Sequence, residues 1–113
     1  MRDTPALTEA TYYILLSLVT PQHGYGIMQQ TEALSLGRVR LAAGTLYGAL
    51  GALCDKGWIR PLSAEDAGRR KEYCLTDKGM EILKNEVARL RELADNGEAI
   101  LGKENGDGDQ NRT

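Results

Sequence analysis

Apolar residues recur at three- and four-residue spacing through the first half of the chain. Ala10 to Val19 is strongly apolar. Tyr13 with Leu16, and Leu15 with Val19, mark helical faces, and Thr8 stands where a helix cap is wanted. The run Thr20-Pro21-Gln22-His23-Gly24 stops this helix, since Pro and Gly break helices most strongly. Tyr25 to Leu34 predicts a second helix. Ile27, Ala33 and Leu34 form its expected buried stripe, with Met28 and Thr31 at the flank and Gln29, Gln30 and Glu32 facing water. Gly37 stands where a left-handed helix end is needed. Leu41 is placed to fill a gap between helices. Ala42 to Lys56 predicts a third helix, in which Leu46, Leu50 and Leu53 share one face. Gly57 ends it.

Beyond Gly57 the period changes. Trp58 to Leu62 and Lys71 to Leu75 read as two short strands around a polar, turn-rich segment, residues 63–70. Pro61 confines the first strand to a sheet edge. Thr76 then caps a long helix, with Asp77 in its first turn to complement the helix dipole. The helix is expected to run to about Asn96. Met80, Leu83, Val87, Leu90 and Ala94 alternate steps of three and four, the spacing of a coiled-coil seam, and Ile82 and Leu93 add a second flank. Gly97 is expected to interrupt the helix, with Ile100 and Leu101 adding a further turn. Residues 1–7 read as a loosely ordered arm. Residues 102–113 are polar and glycine-rich, too poor in apolar surface to order themselves, and read as a disordered tail.

The resulting plan is mainly α with a small β-hairpin. A winged helix-turn-helix unit with an N-terminal helix occupies residues 1–75, a C-terminal dimerisation helix residues 76–101, and the tail 102–113. In such a unit the third helix enters the major groove of DNA and the hairpin, or wing, touches the flanking backbone or the minor groove.

Composition and charge narrow the function. A chain of 113 residues fits one domain. Its net charge of −2 argues against nucleic acid until the distribution is considered. Leu36 to Lys71 holds seven bases against three acids, a net +4, and a local basic face matters more to phosphate binding than the global sum. No apolar run reaches membrane-span length, and no signal region stands at the start, so the cytoplasm is the expected location. One histidine and two cysteines offer no metal site. No nucleophile, metal or acid-base cluster is present, so an enzyme and a cofactor are not expected. Cys54 and Cys74 read as reduced thiols packed as small apolar groups, with a thiol sensor as the alternative.

The stretch "GTLYGALGAL" tests the plan. Three glycines suggest a phosphate loop, but such a loop needs G-x-x-x-x-G-K-[ST] after a strand. Here no Lys-Ser or Lys-Thr follows, and leucine recurs every turn. The stretch is therefore a helix whose glycines each cost about 1 kcal/mol of propensity relative to alanine. Thr45 and Tyr47, with Gly44 and Gly48, are the expected DNA-facing residues. Tyr47 also fits a core or interface aromatic. Gly44 and Gly48 allow close approach to DNA or to a neighbouring helix, and Gly51 is read as a packing glycine. Arg69, Arg70 and Lys71 on the wing are expected on phosphates. His23 reads as a turn residue and Trp58 as a packing residue at the base of the wing.

Four stretches in order, "HGYGI", "GTLYGALGAL", "KGWI" and "GRRKEYCLTDKG", make the chain resemble the PadR family of bacterial transcriptional regulators over about residues 8–95. Gly24, Tyr25 and Gly26 match the turn opening the second helix. Gly44, Thr45, Leu46 and Tyr47 match the start of the recognition helix. Arg70, Lys71, Tyr73, Leu75 and Thr76 match the second wing strand and the following cap. Two positions depart: Gly48 replaces the usual proline, which loosens the helix, and Trp58 replaces an aliphatic residue. The resemblance implies a homodimer built on the C-terminal helix, here through Leu83, Val87, Leu90 and Ala94. It also implies binding to double-stranded DNA, and repression relieved by a small aromatic or drug-like effector, with a pocket between the terminal helices. By the same resemblance, the short C-terminal part is expected to carry no elaborate ligand domain, as in the smaller members. The alternative is a winged-helix module that binds protein.

Overall fold

The computed structural model describes residues 6–62 and 71–106, with side chains through Gly102. Helix α1 spans Glu9–Ser17, strand β1 Gln22–His23, helix α2 Gly24–Leu34, helix α3 Ala43–Asp55, strand β2 Ile59–Pro61, strand β3 Glu72–Leu75 and helix α4 Asp77–Gly106. Two units meet within α4, one ending at Leu83 and the other beginning at Lys84.

In the first unit, α1, α2 and α3 close around Ile14, Leu15, Leu18, Ile27, Leu46 and Leu50, each no more than 1% exposed. Truncating one such leucine to alanine costs roughly 2–5 kcal/mol. Thr8 caps α1 by accepting from the Thr11 N–H at 3.1 Å, as its position predicts. Helix α2 buries a different stripe from the expected one. Gly24, Ile27, Thr31 and Ser35 are buried, whereas Ala33 and Leu34 are exposed. The inward face runs at i, i+4 and i+8 from Ile27, so the small polar Thr31 and Ser35 occupy positions that hydrophobicity alone assigns to larger neighbours. Gly37 takes φ 83°, the left-handed helix end expected of it, and Leu36 before it takes φ 55°.

The sheet has three strands rather than two, in the antiparallel order β1-β3-β2. Gln22 pairs with Tyr73 and His23 with Glu72, so the segment that stops α1 also contributes a strand. Two residues are too few to leave a periodic signal in sequence. Arg60 pairs with Cys74 on the other side of β3. Pro61 closes β2 at the sheet edge, where its missing N–H costs no ladder bond.

Thr76 fixes the turn into α4. Its hydroxyl donates to the Gly57 carbonyl at 2.6 Å and accepts from the Gly79 N–H at 3.0 Å. The Thr76 N–H donates to the Trp58 carbonyl at 3.0 Å. Gly57 reaches this geometry at φ 77°, and Gly79 lies directly on the Trp58 carbonyl oxygen, where a side chain does not fit.

The second unit is the remainder of α4. Gly97, expected to interrupt the helix, lies inside it, and the helix continues to Gly106. One glycine costs about 1 kcal/mol, too little to end a 30-residue helix. Residues 102–106, assigned to the tail in sequence, are thus helical, and residues 107–113 fall outside the described residues. Glu86 is 1% exposed, and Arg89 donates to both of its carboxylate oxygens at 2.8 and 2.7 Å. Those contacts raise the Arg89 guanidinium above its ordinary value.

Candidate nucleic-acid interface

Helix α3 turns Leu46, Leu50 and Leu53 into the core. On the opposite side Gly44, Gly48 and Gly51 line up, with Asp55 one turn beyond. All are exposed, and among the described residues a Cβ at each of the three glycines would meet no atom of a neighbouring element within 4 Å. Gly51 is therefore not a packing glycine: no neighbouring element approaches it among the described residues. From Gly44 to Gly51 this stripe of α3 is bare backbone.

Thr45 and Tyr47 stand on the two flanks of this bare stripe, and both are exposed. Tyr47 is 50% exposed and reaches across to α2, with its hydroxyl end resting on Gly24. Any side chain at Gly24 would occupy the space of that hydroxyl. This contact joins the "HGYGI" and "GTLYG" stretches, which sequence spacing alone does not bring together. It makes Tyr47 a packing residue between α2 and α3 that keeps half of its surface exposed. Next to it His23 caps α2, its Nδ1 accepting from the Gly26 N–H at 3.2 Å. Gln22 Oε1 accepts from the His23 N–H at 3.2 Å and packs on Gly26.

The base of the wing adjoins the other end of the helix. Tyr73 is 9% exposed. Burial raises its phenol above the ordinary value, and Cys54 and Tyr47 add to the shift. Burial also raises the Cys54 thiol, with Asp55 adding to the shift and Lys71 opposing it. A raised thiol holds less thiolate, the reactive form, which weighs against Cys54 as a sensor. Lys71 is exposed immediately before β3. Arg69 and Arg70 lie outside the described residues.

Two other bases of the central segment are engaged. Arg38 donates to Glu9 at 2.9 and 2.5 Å, which raises its guanidinium, and Arg40 pairs with Glu32 at 3.5 Å. Lys56 lies 5.2 Å from the centre of the Trp58 ring. Trp58 is 7% exposed and packs at the base of the wing. In α4, Leu83 is 4% exposed and belongs to the core of the first unit, not to a free seam. Val87, Leu90 and Ala94 are exposed, as are Leu93, Ile100 and Leu101.

Three helices, a hairpin whose second strand also pairs with β1, and a helix leaving the hairpin together make a winged helix-turn-helix. Residues 14–85 match the model of the transcriptional regulator PadR-like family. The chain belongs to that family. PadR-like proteins are transcriptional regulators, not enzymes. Two solved PadR family regulators are similar in structure. One, from Eggerthella lenta, is 25% identical with a TM-score of 0.63, covering 80% of this chain and 79% of that one. The other, from Clostridium difficile, is 25% identical with a TM-score of 0.62, covering 80% of this chain and 97% of that one. A 37.1 kDa protein in a Streptomyces fradiae transposon is 40% identical over 87 residues, 76% of this chain. This PadR-like chain matches only 24% of that protein's length. Among the described residues no helix is long and apolar enough to cross a membrane, and no cluster of His, Cys, Asp or Glu is placed to hold a metal ion.

Proposed function

We propose that this PadR-like chain is a repressor that binds an inverted-repeat operator as a homodimer. Helix α3 lies in the major groove and the wing on flanking phosphates. The observation that carries this reading is the face of α3. Gly44, Gly48 and Gly51 leave open space along a helix that spends about 1 kcal/mol of propensity at each glycine. No contact among the described residues uses that space, which suits the approach of something outside the chain. Thr45 and Tyr47, on the two flanks, are placed to reach the two walls of a groove. A side-chain hydroxyl can bond phosphate or a base edge there.

The salt dependence of binding tests the wing. Arg69, Arg70 and Lys71 on both protomers would neutralise six phosphates, giving a slope of log K against log salt of about −5. Replacing Arg70 and Lys71 with alanine should bring it to about −2. An unchanged slope and affinity would place the wing away from DNA and favour the protein-binding alternative.

The second copy follows from the unpartnered part of α4. Val87, Leu90 and Ala94 continue the three-and-four spacing beyond the buried Leu83, and they are exposed. Leu90→Lys should shift the sedimenting species from dimer to monomer at micromolar concentration while keeping its helical signal. Retention of the dimer would remove this stripe from the interface. A small aromatic effector between the two terminal helices would relieve repression only by favouring a dimer geometry that does not bind DNA.

A further inference from the structure

One face of α2 borders α3 at both of its ends. Tyr25, Gln29 and Glu32 stand at i, i+4 and i+7, so they share that face, and all three are exposed. At its start, Gly24 carries the hydroxyl end of Tyr47 from α3. At its far end, Glu32 pairs with Arg40, which stands two residues ahead of Ala42, the N-cap of α3. Between these ends the Gln29 Nε2 donates to the Tyr25 hydroxyl at 3.4 Å. Glu32 is the one acid of the three. The two arginines of the turn between α2 and α3 are held differently. Arg38 donates to Glu9 through Nε and Nη2 at 2.9 and 2.5 Å. Arg40 meets Glu32 through Nε at 3.5 Å, and its side chain is 72% exposed. That separation is beyond the roughly 2.8 Å of a charge-assisted hydrogen bond.

We infer that Arg40 is a phosphate-binding residue, held by Glu32 in the free chain and released from it to the DNA backbone beside α3. This role rests on the proposal that α3 enters DNA. Arginine presents the same planar fork to a phosphate as to a carboxylate. An exposed, long ion pair contributes little to the fold, so a phosphate displaces the carboxylate at small cost. Tyr25 and Gln29 add neutral hydrogen-bonding groups to the same face, of the kind that meets a DNA backbone. Arg38 keeps its carboxylate, because its two contacts are short and Glu9 belongs to a different helix. Backbone contacts position a protein without reading sequence, so Arg40 sets affinity and docking, not the choice of operator. Glu32 acts through Arg40, as an internal competitor for the phosphate.

Salt-dependent binding of the full chain to duplex DNA from upstream of the gene tests this. Arg40→Gln should weaken binding about tenfold and make the slope of log K against log salt shallower by about 2, one phosphate for each protomer of a dimer. Arg38→Gln removes the same charge from the same turn and should leave the slope within about 0.5 of wild type. Glu32→Gln should tighten binding about threefold or more, and most of that gain should vanish when Arg40→Gln is also present. All three positions are exposed, so helical signal and Tm should stay those of wild type. The inference is overturned if Arg40→Gln keeps the wild-type slope, if Arg38→Gln changes it as much, or if Glu32→Gln gives the same gain with and without Arg40. Gly48→Glu separates this failure from that of the DNA-binding reading. If Gly48→Glu removes binding while Arg40→Gln leaves the slope unchanged, α3 enters DNA and Arg40 takes no part. A wild-type chain that binds no duplex overturns both.

Discussion

Gly48→Glu should reduce affinity for the operator by about 100-fold or more while leaving the protein at least as stable as wild type. The two effects have separate origins. Among the described residues, a Cβ at Gly48 meets no atom within 4 Å, so a side chain there starts into open space. Glutamate is also a better helix former than glycine, so the folded state gains a fraction of a kcal/mol. In the proposed complex the same position would lie on the groove-facing side of α3, where a long anionic side chain would collide with the groove and repel phosphate. Gly48→Ala makes the graded control. It should stabilise the fold by about 1 kcal/mol, seen as a rise of several degrees in Tm, and weaken DNA binding by about tenfold. A gain in stability with a loss in binding cannot come from misfolding. If Gly48→Glu binds operator DNA as wild type does, the glycine face of α3 is not the face that meets DNA.

Gly79→Ala should have the opposite effect on stability. The intrinsic helix preference is the same, about 1 kcal/mol in favour of alanine. The space differs, because at Gly79 the added methyl falls on the Trp58 carbonyl oxygen, a backbone atom that also accepts from the Thr76 N–H. Relieving that collision means moving the start of α4 off the wing base. The cost of such overpacking is roughly 3 kcal/mol, leaving a net loss of about 2 kcal/mol. Urea denaturation reads it as a lower midpoint at unchanged slope. A Gly79→Ala protein as stable as wild type would mean that α4 does not begin against Trp58 in this way. One substitution type at two helical glycines thus gives opposite signs, and the sign is decided by what the missing side chain would touch.

The strongly periodic features of the fold were legible in sequence. Leu46, Leu50 and Leu53 fix the inner face of α3, and Thr8 and Thr76 cap the helices they precede. Gly37 and Gly57 sit at positive φ where helix ends require it. What escaped depends on contacts rather than on local pattern. Strand β1 is two residues long and exists only because β3 offers it an edge. The inward face of α2 passes through Thr31 and Ser35, which hydrophobicity does not select. Leu83 matched the spacing of a free seam, and spacing cannot distinguish a core position from an interface position on the same stripe. Gly51 looked like a packing glycine beside Gly44 and Gly48, yet none of the described residues approaches it, because the stripe faces outward. The tie between Tyr47 and Gly24 spans two motifs far apart in the chain, and neither motif alone announces it.

Protection of the DNA upstream of the gene by the purified chain tests the central proposal most directly. The expected footprint covers two inverted half-sites with centres about 10 bp apart, or a multiple of that, one helical turn per step. Two chains should bind per operator, and Gly48→Glu should remove the protection. A chain that protects no site beyond its salt-sensitive nonspecific binding, or that leaves the same footprint with Gly48→Glu, would contradict the assignment of α3 as the helix that reads DNA.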